Sequence, residues 1–298
     1  MYSNLLQIVP LEYIKFNEPM ENHTSFKIGG PVDIMIEPDN TQLIKDIIDC
    51  CKVNEYPLFI FGLGSNLLVT DKGIRGVAIK LGNKLNNISI NENEITAQAG
   101  VRLSVLAKQA AQKELTGLEF ADGIPGSLGG AIVMNAGAYD GEMKNVLKTV
   151  TAISLDGKIK EFTLDNMEMD YRKSIFQKNG YYILSATLKL KFGEKAEILA
   201  KMQEFARRRR AKQPLEFPSA GSAFKRPAGH YVGPMIEKLD LKGFTIGGAQ
   251  VSTKHAGFII NTGNATAQDV LELITYIQEK VKTKYNVNLE PELRIVGE

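Results

Sequence analysis

The 298-residue sequence has no tryptophan, three histidines and two cysteines, and each shortage removes a class of answer. Cys50 and Cys51 are neighbours inside a helical pattern, so they cannot staple distant segments; they read as small buried hydrophobes in a reducing compartment. With so few histidines and no cysteine–histidine cluster, no metal site is expected. No apolar run approaches the roughly 18 residues that a membrane span needs. The stretch from Met1 to Pro19 carries Glu12, Lys15 and Glu18 where a signal peptide would have a basic end and an apolar block. Neither export nor membrane insertion is therefore expected, and the expected location is cytoplasmic. A net charge of +2 leaves no excess of one sign for nucleic acid or an anionic membrane to meet, so any anion recognition must be local. Gly-x-x-x-x-Gly-Lys-Ser/Thr occurs nowhere, which excludes a P-loop. Internal repeats and low-complexity tracts are also missing.

What is present is an alternation of short strands and helices. Leu43, Ile44, Ile47, Ile48 and Cys51 recur at helical spacing over Thr41 to Lys52, after the start signal Pro38-Asp39-Asn40, and Pro57 ends the element. Leu58 to Phe61 reads as a buried strand that stops at Gly62-Leu-Gly64-Ser65-Asn66. Further strands are expected at Val77 to Leu81, in a hairpin from Ile88 to Ala99, and from Tyr182 to Phe192. Leu103 to Lys113 reads as a helix. Asp156-Gly157 marks a second hairpin, a strong turn signal because both central positions tolerate positive φ. Ala196 to Lys212 is a long helix ended by Gln213-Pro214, and an amphipathic helix carries Val270, Leu271, Ile274, Ile277 and Val281 before a terminal strand at Leu293 to Val296. Domain boundaries are placed near residues 80 and 192, giving parts at 1–80, 81–192 and 193–298.

Six glycines crowd into 123–141, in Gly123-Ile-Pro-Gly126-Ser127-Leu-Gly-Gly130-Ala131 and Asn135-Ala-Gly-Ala-Tyr139-Asp-Gly141. Glycine loses the most backbone entropy on folding, so such density suits a main chain that approaches a ligand closely and offers it N–H donors, a pyrophosphate above all. A set of tight turns is the plainer reading of one such loop, but Gly62-Leu-Gly64-Ser65-Asn66 is a second. It fails as a dinucleotide fingerprint because Leu67 stands where the third glycine belongs.

Taken in order, Thr24-Ser-Phe-Lys-Ile-Gly-Gly30, Gly62-Leu-Gly-Ser-Asn66, Gly123-Ile-Pro-Gly-Ser-Leu-Gly-Gly130 and Asn135-Ala-Gly-Ala-Tyr139 resemble the pattern of the UDP-N-acetylenolpyruvoylglucosamine reductases, from about residue 20 to the end. The resemblance implies an α+β fold, with a two-subdomain FAD-binding module of the vanillyl-alcohol oxidase (PCMH) type and a C-terminal α+β substrate-binding domain. It implies non-covalent FAD along Gly62, Gly64, Ser65 and Asn66, with Gly126, Ser127, Gly130 and Ala131 contributing from the other subdomain. Little separates Arg172 from the strand near Leu188, which leaves no room for the tyrosine loop of longer members. The chain thus resembles the short subclass, with Tyr231 as the candidate for a substrate lid.

Tyr171-Arg172-Lys-Ser174, Gly221-Ser222-Ala-Phe and Glu290-Pro-Glu292-Leu-Arg294 match the same family's reacting centre. Taken singly they are a surface arginine, a turn serine and a solvated glutamate. By resemblance, Arg172, Ser222 and Glu292 surround the enolpyruvyl group: hydride from flavin N5 goes to the β carbon, Arg172 and Glu292 stabilise charge on the carboxylate, and Ser222 gives a proton to the α carbon. NADPH is the implied co-substrate and shares one cleft with UDP-N-acetylglucosamine enolpyruvate, the product being UDP-N-acetylmuramate for peptidoglycan. No obligatory protein partner is implied. Arg207 to Arg210 and Lys212 suit a helix C-terminus, and by resemblance Lys212 neutralises the UDP diphosphate. His230 and His255 read as structural. Two alternatives stay open: a sugar or alcohol oxidase with the same flavin module, and a nucleotide-binding regulatory module without catalysis.

Overall fold

A computed structural model describes residues 2–298, which pack as two compact units. The first takes the chain up to Phe16, Ile34–Leu63 and Gly76–Arg208; the second takes Asn17–Asp33, Gly64–Arg75 and Arg209–Glu298.

The first unit holds the strand Leu58–Phe61, which lies parallel to Ile74–Lys80, with Leu58 opposite Val77 and Phe61 opposite Lys80, in a sheet ordered Ile14–Pro19, Pro31–Ile36, Ile74–Lys80, Leu58–Phe61. The helix Thr41–Val53 begins where the Asn40 side chain accepts from the Leu43 amide at 2.8 Å. Its buried face is Ile44, Ile47, Ile48 and Cys51. Burying one such isoleucine contributes about 1.5–3 kcal/mol against about 1 kcal/mol for the cap, so packing holds the helix and the cap sets its start. Burial also pushes the Cys51 thiol up to about 12, which makes it an inert core group.

A second sheet in this unit is antiparallel, ordered Ile159–Thr163, Leu147–Ser154, Tyr181–Lys189, Glu94–Gln98, Ile88–Asn91. The helices Leu103–Gln112 and Leu128–Val133 share its core with Ile95, Val150, Ala186 and Leu188. The Asp156-Gly157 hairpin is present, joining Leu147–Ser154 to Ile159–Thr163. Only Gly157 has positive φ, at 72°, and its amide donates to Ser154 O while Ser154 N donates to Lys158 O. That is a type I turn followed by a glycine bulge, so Asp156 never needs the left-handed region.

The second unit is built on the helix Ala267–Tyr285, whose Val270, Leu273, Ile274, Ile277 and Val281 pack with Phe26, Ile28 and Leu68. A three-stranded sheet, Thr245–Ile246, Ala249–Val251 and Ile259–Asn261, belongs to the same core. The strand Arg294–Val296 runs parallel to Leu67–Val69, so the residues just after the Gly64-Ser65-Asn66 loop are clasped by the end of the chain. No helix among the described residues is long and apolar enough to cross a membrane.

Candidate functional site

In the first unit, two glycine loops far apart in sequence meet. A methyl added at Gly62 would stand 2.5 Å from Ser127 Oγ, so a side chain there would force the Ser127 hydroxyl to move. Ser127 is 1% exposed and its hydroxyl has no hydrogen-bond partner. An unsatisfied buried hydroxyl costs about 1–3 kcal/mol, a cost removed when a polar ligand oxygen accepts its hydrogen bond. Gly130 is the open member of this loop: a side chain there would meet nothing closer than Ser127 Oγ at 3.6 Å. Ala131 lies behind it, its amide donating to Ser127 O at 2.9 Å, while the Gly126 carbonyl accepts from Leu103 N. The features suit a phosphate group held by main chain and one hydroxyl.

Arg172 stands beyond the other end of the helix Leu128–Val133, which at 1.5 Å per residue is about 9 Å long. It sits at the tip of a two-residue turn closed by Asp170 N to Lys173 O at 3.1 Å and Lys173 N to Asp170 O at 3.0 Å. Its φ is 53°, a left-handed conformation that costs a non-glycine residue about 1–3 kcal/mol and persists only where surroundings impose it. The Ser174 hydroxyl donates to Val133 O at 2.7 Å, fixing the turn to the helix end, and Arg172 Nη2 donates to Gly137 O at 3.3 Å. Nearby, the Tyr139 and Phe205 rings stack at 4.4 Å.

In the second unit, the Gly64-Ser65-Asn66 loop, Ser222 and Glu292 come together. Gly64 has a φ of 66° with its α carbon against the His23 carbonyl, where any side chain would collide. The Ser25 hydroxyl donates to Ser219 O at 2.7 Å and approaches Ser65 O at 3.3 Å, joining this loop to the segment that leads into Ser222. The Asn66 amide donates to Glu292 O at 3.1 Å, Arg294 N donates to Asn66 O, and Glu292 N donates to Ala223 O, both at 2.9 Å. Ser222 is half-buried in a bridge to Phe258. Asn66, the residue after Ser222 and Glu292 thus form one hydrogen-bonded knot, although 66, 222 and 292 are far apart in the chain.

The other candidates fall elsewhere. Lys212 is exposed in the last turn of the helix Lys195–Lys212. Two arginines of the basic run are committed within that helix: Arg207 and Arg208 both bond Glu204, at 2.7–2.9 Å, and hold its carboxyl down at about 2. His255 is half-buried and burial lowers its pKa, while its Nδ1 accepts from Gly257 N at 3.1 Å, a packing role. His230 is exposed. Tyr231 is 60% exposed, with the Arg226 guanidinium 3.8 Å from its ring centre. An open hollow of about 380 Å³ lined by Glu21, Asn22, Lys27, Phe217 and Asn261 contains none of the predicted residues. No cluster able to hold a metal occurs among the described residues.

Residues 32–163 match a family described as an FAD binding domain, and residues 213–296 match the C-terminal domain of UDP-N-acetylenolpyruvoylglucosamine reductase. A glucose dehydrogenase, Phl p 4.0202, shares the fold over 65% of this chain and 44% of its own, with a TM-score of 0.50 at 12% identity. Fold and site together define the class, an FAD-dependent oxidoreductase built from a vanillyl-alcohol oxidase type module and a C-terminal α+β domain. Two comparisons narrow it. The UDP-N-acetylenolpyruvoylglucosamine reductase of Syntrophomonas wolfei is 58% identical over all 298 residues, covering the whole of both chains. A crystal structure of the corresponding reductase from Thermus caldophilus aligns with a TM-score of 0.82 at 35% identity, over 94% of this chain and 98% of that one. The chain belongs to the UDP-N-acetylenolpyruvoylglucosamine reductase family, in its short form.

Proposed function

We propose that the protein reduces the enolpyruvyl double bond of UDP-N-acetylglucosamine enolpyruvate to give UDP-N-acetylmuramate in the cytoplasm, for peptidoglycan synthesis, with NADPH as the source of electrons. The observation that carries the reading is the knot of Asn66, Ala223 and Glu292, which ties Asn66 to Glu292 and Glu292 to the neighbour of Ser222. Gly62, Gly64, Ser65 and Asn66 with Gly126, Ser127, Gly130 and Ala131 would hold the FAD diphosphate, and the partnerless Ser127 hydroxyl and the glycine close approaches suit that ligand. When bound there, FAD would supply the hydride that the β carbon of the substrate receives. Residues 1–80 and 81–192 serve as the two cofactor-binding subdomains and 193–298 as the substrate-binding part.

The chain's own residues meet the charge that follows. Addition at the β carbon leaves enolate-like charge on the substrate carboxylate. Arg172 offers that carboxylate a planar fork of donors, and Glu292, protonated or bridged by water, adds a further hydrogen bond. Each donor is worth about 10²- to 10³-fold in rate. Ser222 then gives its proton to the α carbon; a hydroxyl is a weak acid, but a carbanion-like centre is a strong base, and positioned proton transfer contributes about 10²- to 10⁴-fold. Lys212 neutralises the UDP diphosphate. NADPH and the UDP-sugar use one cleft in alternation. What supports joining Arg172 to the other two is the motif pattern shared with the family.

Anaerobic half-reactions test the reading. The purified protein should be yellow, lose its flavin absorbance on adding NADPH, and regain it on adding the enolpyruvyl substrate much faster than on adding oxygen. Rapid reoxidation by oxygen, with the enolpyruvyl substrate without effect, would identify an oxidase instead. A colourless protein that takes up no FAD would rule out both.

A further inference from the structure

We propose that Asn135 is a positioning residue for Arg172, a buried amide that fixes the turn carrying the guanidinium, with Gln177 as its exposed counterpart on the same turn. The inference rests on the role given to Arg172 above.

Asn135 is fully buried, and its side-chain polar atoms are committed. Its Nδ2 donates to Glu142 Oε2 at 2.8 Å and to Asp170 O at 3.0 Å, and its Oδ1 accepts from Lys144 N at 2.9 Å. Two donors and one acceptor are thus used, which leaves the amide no capacity for direct recognition of a substrate carboxylate. Its target is the carbonyl of Asp170, the first residue of the turn whose tip is Arg172. Gln177 Nε2 donates to the carbonyl of Arg172 itself at 3.0 Å. The turn is therefore gripped at its entry from inside and at its tip from outside. Both grips bear on a residue whose φ of 53° needs external support.

Asparagine suits the position for a second reason. Its own φ is 40°, a region that asparagine tolerates better than most side chains. An aspartate there would keep the shape, lose both donors and set a carboxylate against that of Glu142.

The test uses the full FAD-loaded chain and the variants Asn135→Ala, Gln177→Ala and Arg172→Ala, with each of the first two also combined with the third. Flavin reduction by NADPH and reoxidation by the enolpyruvyl substrate are followed separately. Asn135→Ala is expected to leave the first within about twofold and slow the second by about tenfold or more, since a misplacement near 1 Å can cost about 10²-fold. Gln177→Ala, which removes a grip at the surface, should slow the second about threefold, near the lower end of a single net hydrogen bond. In the Arg172→Ala background neither change should slow it further, because residues acting through one group are not additive. A purely structural defect would persist undiminished in that background, and this result would overturn the proposal. So would wild-type reoxidation in both Asn135→Ala and Gln177→Ala while Arg172→Ala is slow. If Asn135→Ala fails to retain flavin, Gln177→Ala alone decides by the same two readouts. An Arg172→Ala protein that reoxidises normally would instead overturn the role of Arg172 itself.

Discussion

The Ser127 hydroxyl is buried and unpartnered beside Gly62, and the two readings of that fact separate by experiment. If it awaits a phosphate oxygen, Ser127→Ala should weaken FAD binding by about tenfold or more, since a hydrogen bond to a charged group is worth about 1.5–3 kcal/mol. The same change should raise the melting temperature of the flavin-free protein, because an unsatisfied buried polar atom has been removed. Unchanged FAD affinity by fluorescence titration would refute the cofactor role. The sequence points to Ser127, as it does to Arg172, Ser222 and Glu292, only through the resemblance of their motifs to the family's pattern. It does not point to Asn135 as a positioning group, Gln177 or Ser25, whose work is a hydrogen bond to a carbonyl 35, 5 or 194 residues away. The glycine run is also less uniform than its density suggests. Gly129 would place a Cβ 2.9 Å from that of Ala99, and Gly141 would place one 2.5 Å from the Phe120 ring, so those two serve packing and the ligand-facing reading applies to their neighbours.

Among the elements, the helix Ala267–Tyr285 shows how much of a start signal is local. Thr266 and Asp269 form a capping box that the sequence carries in full, with the Thr266 hydroxyl accepting from Asp269 N and Asp269 Oδ2 from Thr266 N, both at 3.0 Å. The remaining two amides of the first turn, on Ala267 and Gln268, are taken by Asp71 at 2.8 and 3.0 Å, from a segment nearly two hundred residues earlier, which no local pattern could show. Asp71→Ala should cost about 0.5–2 kcal/mol in a urea melt, the range for losing a cap; a loss near zero would mean that solvent replaces it. The Thr266 amide, and then that of Gly248, hold the Asp269 carboxyl below its usual range. A folded pKa below the unfolded one gives stability that is complete above the unfolded value and lost as pH falls through the folded value. The stability difference between the natural chain and Asp269→Asn should therefore be flat near neutrality and shrink on acidification below about pH 4, the ordinary carboxylate range. A difference that persists into strong acid would contradict this. The Asp156-Gly157 hairpin was legible as a hairpin but not as a turn type, because only the backbone shows which of the two residues takes positive φ.

For the whole molecule, the order of elements follows from hydrophobic periodicity and turn residues and the α+β class from the resemblance of the motifs to the family, and the comparisons bear out the class and the family. The packing units do not follow, because they are discontinuous: Asn17–Asp33 and Gly64–Arg75 join Arg209–Glu298 around Phe26, Ile28, Leu68 and the helix Ala267–Tyr285. Periodicity assigns elements along the chain and is blind to which distant segments share a core. The discontinuity also has a functional consequence. The Gly64-Ser65-Asn66 loop is bonded to the segments that carry Ser222 and Glu292, so a change at Asn66 should disturb the proposed reacting centre as well as the proposed cofactor loop.

The most direct measurement is anaerobic stopped-flow on Ser222→Ala, with flavin reduction and reoxidation recorded apart. Reduction by NADPH should stay within about twofold of the natural chain, while reoxidation by UDP-N-acetylglucosamine enolpyruvate should slow at least about a hundredfold, the lower bound for a positioned proton donor. Equal loss in both halves, or reoxidation at the natural rate, would remove Ser222 from the chemistry.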